Sequence, residues 1–316
     1  MKKIFIAGHN GMVGKSIIRC LKNFKKIKII TVDKNKLDLT NQNLVNQFFF
    51  KHKFDEVYLC AAKVGGILAN KNYPAEFIYN NLMIAANVIN ASFLSNVGKL
   101  LFLGSSCIYP RLSKQPLKEK YLLSSYLEPT NEAYAIAKIT GIKMCESYNI
   151  QHNTDFRSVM PCNLYGPGDN YHEFNSHAIP GIINKIYKAK LKKKKLVTLW
   201  GTGNAIREFM YVDDMANACI KIMNISKKKL NRFITPNLSH INLGTGKGVT
   251  IKKLSEIISK IINFKGQIIF NKSYPDGHPK KINDITKQKY LGCKIKYSLR
   301  EGLKNTYKDF LIREGF

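Results

Sequence analysis

The 316-residue chain is predicted to form an α/β fold, a doubly wound parallel sheet followed by a smaller C-terminal α/β lobe. Three observations predict this architecture. Short, almost wholly apolar segments alternate with helical patterns through the first half, as in a parallel sheet covered on both faces. A glycine-rich turn separates the first apolar segment from the first helical one. After about residue 165 the alternation becomes less regular, which indicates a second lobe with some segments returning to the first.

Each element of the first lobe follows from its own pattern. Short apolar runs predict the strands, and apolar residues recurring every three or four positions predict the helices between them. The predicted strands are 3–7, 27–32, 56–60, 99–103 and 156–160, and the predicted helices are 12–21, 44–50, 74–95 and 132–148. The same criteria applied to the second lobe predict helices at 179–190, 213–225, 251–262 and 299–310, and strands at 197–200, 240–243 and 267–270.

Composition excludes several classes of protein. With 45% hydrophobic and 23% charged residues, the chain is neither globally disordered nor a fibrous rod. The net charge of +30 first suggests a nucleic-acid partner, but only seven of the 51 basic residues are arginine, and the lysines are spread along the chain. We therefore expect no nucleic-acid partner, and a positive field that speeds the arrival of anionic small substrates.

Targeting and metal signals are weak. No window approaches the roughly 18 uninterrupted apolar residues of a membrane span, and the first apolar run is too short for a signal peptide. The seven cysteines show no Cys-x-x-Cys spacing, which argues against a disulfide framework or a zinc site. We expect a cytoplasmic protein with reduced thiols, no membrane association and no bound metal.

The glycine-rich turn reads Gly8-His9-Asn10-Gly11-Met12-Val13-Gly14. Glycines at this spacing allow a tight turn and bring a pyrophosphate against the N-terminus of the following helix, where free N–H groups favour an anion. A simple turn with three glycines is the alternative reading. The order of strand, glycine loop and helix favours a dinucleotide-binding Rossmann unit.

The choice of dinucleotide stays open at this point. Asp33 ends the second predicted strand, where an acid normally accepts a hydrogen bond from the ribose 2′-hydroxyl and disfavours a 2′-phosphate. Lys34 and Lys36 follow, and either could pair with that phosphate. Asp33 and Lys34 could also be ordinary turn residues.

Tyr134 and Lys138 form a Tyr-x-x-x-Lys pair on one helix face. A nearby ammonium lowers the pKa of a phenol, so the pair suits proton transfer. Taken alone, the spacing is equally that of a surface pair. Ser105 at the end of the fourth predicted strand strengthens the functional reading, because ligands of open α/β sheets bind at the carboxyl ends of strands.

The glycine loop, Ser105 and the Tyr-x-x-x-Lys pair, in this order, resemble the extended short-chain dehydrogenase/reductases. Further motifs resemble the GDP-L-fucose synthases within that superfamily, and this resemblance runs nearly end to end. The motifs are AAKVGG at 61–66, GSSCIYP at 104–110, PTNE at 129–132, NLYGP at 163–167, NSH at 175–177, REF at 207–209 and PDG at 275–277.

The resemblance implies that the chain epimerises C3 and C5 of GDP-4-keto-6-deoxy-D-mannose and reduces C4 with NADPH to give GDP-L-fucose. The alternative is a C4 reductase/epimerase of a related GDP-4-keto-deoxy sugar, such as a 6-deoxy-heptose. Cys107 and His177 match the acid–base pair of the epimerisation. Ser105, Tyr134 and Lys138 match the catalytic residues of the reduction, with Tyr134 giving the proton and Ser105 binding the carbonyl oxygen. For Cys107 or His177 alone a structural role would be favoured, and the joint match to both motifs reverses that.

The same resemblance implies the binding sites, the domain division and the oligomeric state. The cofactor is expected on Gly8, His9, Asn10, Gly11, Met12, Val13, Gly14, Lys34, Leu39, Leu103, Gly104, Ser105, Lys138, Pro161, Asn163, Leu164 and His177. The nucleotide sugar is expected on Lys185, Trp200, Arg207 and Asp276. Residues 1–165 would bind NADP, with later segments returning, and 166–316 the nucleotide sugar. The family forms homodimers through its two long helices, so a homodimer is expected. The sequence departs from the family at Asn10 and at Asp33-Lys34, although NADPH remains the expected cofactor.

Rival interpretations remain. Within the enzymes they are a GDP-mannose dehydratase, a UDP-sugar 4-epimerase, and a reductase without epimerase activity. A plain 4-epimerase needs no Cys107/His177 pair, and dehydratases of this superfamily usually have Asp-Glu after the active-site serine, where this chain has Ser106-Cys107. A nucleic-acid-binding protein on the same fold would not need the complete catalytic set. Redox sensing by Cys107 would be only a by-product of an activated thiolate.

Overall fold

Strands and helices alternate along the chain in the structure, a computed structural model that describes residues 1–172, 176–274 and 276–315. The strands are β1 (Lys2–Ala7), β2 (Ile27–Ile30), β3 (Glu56–Leu59), β4 (Lys99–Leu103), β5 (Phe156–Pro161), β6 (Asn163–Tyr165), β7 (Leu196–Trp200), β8 (Ile206–Tyr211), β9 (Ile241–Leu243), β10 (Gly248–Thr250), β11 (Gln267–Asn271) and β12 (Lys280–Lys281). The helices are α1 (Met12–Leu21), α2 (Gln42–His52), α3 (Ile67–Asn72), α4 (Pro74–Leu94), α5 (Glu132–His152), α6 (Ala178–Leu191), α7 (Val212–Asn224), α8 (Lys227–Leu230), α9 (Ile251–Ile262), α10 (Thr286–Tyr290) and α11 (Leu299–Arg313).

The largest sheet has six strands in the order β2-β1-β3-β4-β5-β9. Each neighbouring pair in it is parallel. The chain moves from β1 to β2 on one side and to β3 on the other, so the strand order reverses between β1 and β3. Such a switch point opens a crevice at the carboxyl ends of the strands, where open α/β sheets bind ligands. The predicted doubly wound parallel sheet is confirmed.

Helices cover both faces of this sheet, as its apolar strands require. Ile4 and Ile6 of β1 point to the face covered by α1 and α7, while Phe5 and Ala7 point to the face covered by α2, α4 and α5. This alternation follows from the two-residue period of a strand. α7 comes from beyond residue 165, as does β9, so late segments of the chain complete the first sheet.

Two smaller sheets lie outside the large one. β8 pairs with β6, β10 and β12, and β7 pairs with β11 in a two-stranded sheet. α6, α9 and α11 pack over them around a third apolar cluster that includes Ile183, Leu199, Ile258 and Phe310. β6, β8, β10 and β12 were not predicted, because each is short or interrupted by charged residues.

Most predicted bounds agree with the structure within a few residues. α1, β4 and α9 have the predicted limits. α5 continues four residues beyond the predicted end and stops at Asn153, whose left-handed conformation (φ +53°) ends the helix. β2 ends at Ile30, two residues earlier than predicted.

α4 is long and apolar enough, by length and composition alone, to cross a membrane. In the structure its Phe77, Ala85, Val88 and Ile89 are buried against the large sheet. This is the burial pattern of a core helix.

Candidate active site

A cleft of about 880 Å³ opens at the carboxyl ends of β1, β3, β4 and β5. The structure brings all seventeen residues of the predicted cofactor set to its wall, among them Gly8, Leu39, Asn163 and His177. Tyr134 lines the same cleft. One cavity therefore joins the predicted dinucleotide site to the predicted catalytic serine, tyrosine and lysine.

The glycine loop is shaped so that only glycine fits at two of its positions. Gly8 has φ +83°, and a Cβ there would lie 2.6 Å from the backbone nitrogen of Ala61. A Cβ on Gly14 would lie 2.3 Å from the carbonyl oxygen of Gly8. Gly11 precedes α1 without a side-chain cap, and the first turn of α1 contains no acidic residue. The uncapped N-terminus of α1 and the tightly packed backbone of the glycine loop suit the pyrophosphate of a dinucleotide.

Asn10 and His9 face Asp33 at the end of β2. The Asn10 side chain donates a hydrogen bond to Asp33 Oδ1 across 2.8 Å, and His9 Nε2 lies 3.4 Å from the same oxygen. Lys34 lines the cleft, whereas Asp33 and Lys36 do not. Of the two lysines left open by the sequence, Lys34 is therefore the one placed to meet a ligand in the cleft.

Tyr134 and Lys138 lie one turn apart on α5. Lys138 Nζ donates a hydrogen bond to the Leu103 carbonyl across 2.7 Å and lies 5.7 Å from the centre of the Tyr134 ring. Gly141, one turn further along, allows close packing, because a Cβ there would lie 2.3 Å from the Phe102 ring. Burial lowers the pKa of Lys138 to about 8, although the nearby thiols of Cys107 and Cys60 act in the opposite direction.

The pKa of Tyr134 differs from the sequence expectation. Burial of the phenol, and next the charge of Cys107, raise it well above its usual value, while a hydrogen bond with Ser105 acts in the opposite direction. We expected Lys138 to lower this pKa, but its ammonium is directed to the Leu103 carbonyl. Ser105 is nonetheless positioned between Tyr134 and Cys107, since its hydroxyl is a partner of both.

Cys107 lies in the 3-10 turn Ser106–Ile108, directly after β4. Its backbone N–H donates to Ser105 Oγ across 3.4 Å, and its side chain is buried. Burial raises the pKa of the thiol, while the charge of Lys281, the Ser105 hydrogen bond and the charge of Lys138 lower it. Burial has the larger effect, so the pKa of the thiol is raised overall and these three groups only reduce the rise.

His177 is the N-cap residue of α6 and lines the cleft. The surrounding protein and the charge of Lys281 lower its pKa, so the imidazole is neutral near pH 7. Asn175, which belongs to the same motif, lies outside the described residues.

The four predicted substrate residues form a second cluster and do not line the cleft. Lys185 Nζ lies 4.0 Å from the centre of the Trp200 ring, and Trp200 stacks on Tyr274 at 4.6 Å. Arg207 Nη2 donates to the Asp276 carbonyl across 2.7 Å. The Asp276 carboxylate accepts from the N–H and hydroxyl of Thr202, at 2.9 and 2.6 Å. Pro275 of the PDG motif lies outside the described residues.

β8 and β12 connect the two clusters. Arg207 of β8 is paired in register with Lys281 of β12, and Lys281 lines the cleft. Lys281 was not among the predicted site residues, although the basic pair 280–281, three residues after the PDG motif, was an available signal. Asp169 and Lys63, two further charged residues of the cleft wall, were not predicted either.

No group of three or more His, Cys, Asp and Glu side chains is arranged to hold a metal ion within residues 1–172, 176–274 and 276–315. All seven cysteines fall in those ranges and are free thiols.

The cleft and its glycine loop are matched by known proteins. A family model described as the NAD dependent epimerase/dehydratase family matches residues 4–243. The chain belongs to this family. Within the NAD dependent epimerase/dehydratase family, it is similar to GDP-L-fucose synthase of Escherichia coli (strain K12), with 49% identity over 310 residues, 98% of this chain and 97% of the relative.

Two solved structures of Campylobacter jejuni proteins are similar throughout. One is a GDP-6-OMe-4-keto-L-xylo-heptose reductase, with a TM-score of 0.93, 36% identity, and coverage of 99% of this chain and 98% of that chain. The other is MlghC, a GDP-mannoheptose C4 reductase with NADP bound, with a TM-score of 0.88, 38% identity, and coverage of 98% of both chains. The similarity therefore extends over both clusters of the site.

Proposed function

We propose that this chain converts GDP-4-keto-6-deoxy-D-mannose into GDP-L-fucose, by epimerising C3 and C5 and reducing C4 with NADPH. The proposal depends on the relative positions of two sets of proton-transfer residues. One set is Cys107 and His177, and the other is Ser105, Tyr134 and Lys138. Cys107 follows Ser105 by two residues, and His177 lines the same cleft as Ser105, Tyr134 and Lys138. The 49% identity to a GDP-L-fucose synthase along almost the whole chain supports it independently.

The epimerisation needs a base and an acid. C3 and C5 both flank the C4 carbonyl, so their protons are acidified. The Cys107 thiolate removes such a proton, and the electron pair moves onto the C4 oxygen to form an enolate. Ser105 and Tyr134 hydrogen-bond that oxygen. His177 donates a proton to the opposite face of the carbon, which inverts it.

The reduction uses the same oxygen contacts. NADPH supplies a hydride to C4 when it is bound. Tyr134 donates the proton that the resulting alkoxide requires, and Ser105 orients the carbonyl oxygen. Lys138 holds the nicotinamide ribose and, once directed to the phenol, stabilises the tyrosinate left behind.

The cofactor residues fit a dinucleotide. Gly8, Gly11 and Gly14 would hold the pyrophosphate against α1, since the absence of a Cβ at Gly8 and Gly14 lets the loop backbone pack closely in front of that helix. Lys34 would meet the 2′-phosphate at the cleft wall. Pro161, Asn163 and Leu164 would flank the nicotinamide.

We also propose which part of the chain binds the cofactor and which part binds the nucleotide sugar. Residues 1–165 carry the cofactor site, with β9 and α7 returning to its sheet, and residues 166–316 carry the nucleotide sugar. Arg207 suits the diphosphate, because a guanidinium binds phosphate oxygens in a bidentate manner. Trp200, Lys185 and Asp276 form the rest of that site.

A related substrate is the second candidate. The structural similarity to two GDP-heptose reductases supports a GDP-4-keto-deoxy heptose in place of the six-carbon sugar. The Cys107/His177 pair favours a substrate that is epimerised as well as reduced.

We also propose a cytoplasmic homodimer that binds neither membrane nor nucleic acid. α4 and α5 pack on one another and expose apolar side chains, including Tyr79 and Ile150, with exposed fractions of 60% and 57%. A second copy would cover these side chains. Light scattering measures the oligomeric state. Chromatography on heparin at physiological salt tests for a nucleic-acid partner, and we expect the protein not to be retained.

The deciding experiment follows the absorbance at 340 nm when the purified protein is mixed with NADPH and GDP-4-keto-6-deoxy-D-mannose, and identifies the product by NMR. Oxidation with formation of GDP-L-fucose is expected. Oxidation that yields only the unepimerised C4 alcohol would reduce the function to that of a reductase. Oxidation only with a 4-keto heptose would favour the second candidate.

A further inference from the structure

Lys281 is a charged residue of the cleft whose side chain has no partner among the described residues. It lies on β12 and lines the same cavity as Ser105, Tyr134 and His177. Its ammonium makes no hydrogen bond or ion pair in the part of the chain that the structure describes. Partial burial of an unpaired ammonium costs free energy. The presence of Lys281 at the cleft wall therefore points to a negative charge with which it interacts during function.

The backbone on both sides of Lys281 is firmly held. Lys281 pairs with Arg207 of β8, and the N–H of Ile282 donates to Gln115 Oε1 across 3.0 Å. The next residue, Asn283, is buried, and its backbone N–H donates to Glu208 Oε2 across 2.7 Å. The ammonium is thus carried by a rigid element and does not depend on a mobile loop.

Cys107 is the group whose charge acts most strongly on Lys281. Lys281 is the strongest charge favouring the ionised thiol of Cys107, and that thiol is in turn the strongest charge favouring the protonated ammonium. The other charged and titratable groups around these two side chains are Lys138 and Tyr134 on α5, His177 before α6, Arg207 on β8, Cys162 after β5, and Glu128 before the turn Pro129–Asn131.

We propose that Lys281 is a positioning residue for proton transfer at Cys107, its ammonium acting as the counter-charge of the thiolate. The proposal rests on the function proposed above and names a residue that this function had not used. Burial disfavours the thiolate that a base requires, and a fixed positive charge offsets that cost. Lys138 cannot substitute fully, because its ammonium is already hydrogen-bonded to the Leu103 carbonyl.

Lys281 also acts on the other member of the pair. After burial, its charge is the next cause that lowers the pKa of His177, so the imidazolium is a stronger acid but a smaller share of the residue is protonated at pH 7. When the thiolate takes a proton from the substrate, the negative charge moves to the enolate oxygen.

The test measures the ionisation of Cys107 directly in the complete, ligand-free protein. Thiolate absorbs at 240 nm, so the difference between a protein and its Cys107→Ser counterpart, followed against pH, gives the titration of this single cysteine. We expect Lys281→Met to raise the midpoint by at least one pH unit, and Lys281→Arg to leave it within about half a unit. Lys280→Met is the matched control, because Lys280 is the exposed neighbour on the same strand, and it should leave the midpoint unchanged.

A second readout uses the substrate. Deuterium incorporation from D2O at C3 and C5, without NADPH, should slow at least tenfold at pH 7 in Lys281→Met and recover as the pH is raised. If Lys281 serves only to bind the diphosphate, KM rises, the pH profile does not move, and the proposal is overturned. An unchanged Cys107 titration in Lys281→Met overturns it as well. If Lys281→Met does not fold, Lys281→Gln replaces it, judged by the same two criteria.

The two readouts separate this inference from the proposed function. The 240 nm titration requires no substrate. If the Cys107 titration shifts in Lys281→Met but the protein does not react with GDP-4-keto-6-deoxy-D-mannose, the Lys281–Cys107 interaction is supported and the proposed substrate is wrong.

Discussion

The side-chain amide of Asn10 donates a hydrogen bond to the Asp33 carboxylate across 2.8 Å, which ties the glycine loop to the end of β2. In a dinucleotide-binding fold, a carboxylate at this strand end normally faces the adenosine ribose, where it disfavours a 2′-phosphate. Here the hydrogen bond turns the carboxylate toward the loop, and Lys34 is the residue of this segment that lines the cleft. Asp33 and Lys34 therefore have opposite effects on the choice between NADH and NADPH.

We predict that NADH supports the reaction appreciably, and that Asp33→Ser increases the preference for NADPH. Removing a carboxylate next to the 2′-phosphate site removes a like-charge repulsion, so kcat/KM for NADPH should rise by about tenfold while that for NADH changes little. Lys34→Met is the opposing variant and should lower kcat/KM for NADPH alone. Initial rates with both cofactors measure the ratio. An unaltered ratio in both variants would show that neither residue discriminates.

Cys107→Ser is expected to slow epimerisation by at least about 100-fold, because a serine hydroxyl is far less acidic than a thiol and cannot act as the base. Proton NMR of the substrate in D2O measures the exchange at C3 and C5. Cofactor binding should not change, since Cys107 lies outside the wall of the cofactor cleft. Exchange at the wild-type rate would remove Cys107 from the mechanism.

Tyr134→Phe is expected to lower the rate of NADPH oxidation by about 100- to 10,000-fold, because the alkoxide loses its proton donor. The phenyl ring keeps the edge-to-face contact with Phe77, whose centre lies 6.2 Å away, so the fold should be preserved. Absorbance at 340 nm follows the reaction, and fluorescence titration checks cofactor binding. A wild-type oxidation rate would refute the assignment.

Asp169 predicts a pH dependence of stability. Its carboxyl is buried, and Oδ2 has no hydrogen-bond partner within the described part of the chain. Burial, with a smaller contribution from Asp309, raises its pKa to about 7. The unfolded chain loses this proton near pH 4, so between about pH 4 and pH 7 the folded state binds more protons. The contribution of Asp169 to the free energy of unfolding therefore falls as the pH rises through this window.

Asp169→Asn should stabilise the protein at pH 8, by at most about 4 kcal/mol, and the gain should shrink toward pH 4. The asparagine oxygen can still accept the hydrogen bond from the Asn170 N–H, which is 2.8 Å long in the structure. Urea unfolding at pH 8 and pH 5 measures the difference. Equal effects at the two pH values would mean that Asp169 is ionised in the folded state throughout.

Local sequence patterns were sufficient to predict the residues that line the cleft around the glycine loop. The glycine loop, Ser105 and the Tyr134/Lys138 pair each follow or lie within one regular element, so a short window of sequence contains the whole signal. The structure brings them to one cleft because parallel strands place their carboxyl ends at the same edge.

β8 and β12 could not be found in this way. β8 carries Arg207 and Glu208 in its middle, which hides the apolar character of a buried strand. The carboxylate of Glu208 accepts hydrogen bonds from partners far along the chain, the backbone N–H groups of Thr245, Gly246 and Asn283 and the Thr245 hydroxyl. β12 has two residues and forms only through its pairing with β8. Lys281 was missed for the same reason, since its position depends on contacts between segments far apart in the chain.

The place of β9 in the large sheet also bears on how the protein is made. The strand β5 is complete at residue 161, but its outer neighbour consists of residues 241–243. While the ribosome synthesises the residues between them, β5 presents unpaired N–H and C=O groups along one edge, and the face that α7 later covers is bare. The cofactor lobe therefore cannot finish folding as an early, independent unit, and a chain released after residue 165 would be prone to aggregate through that edge.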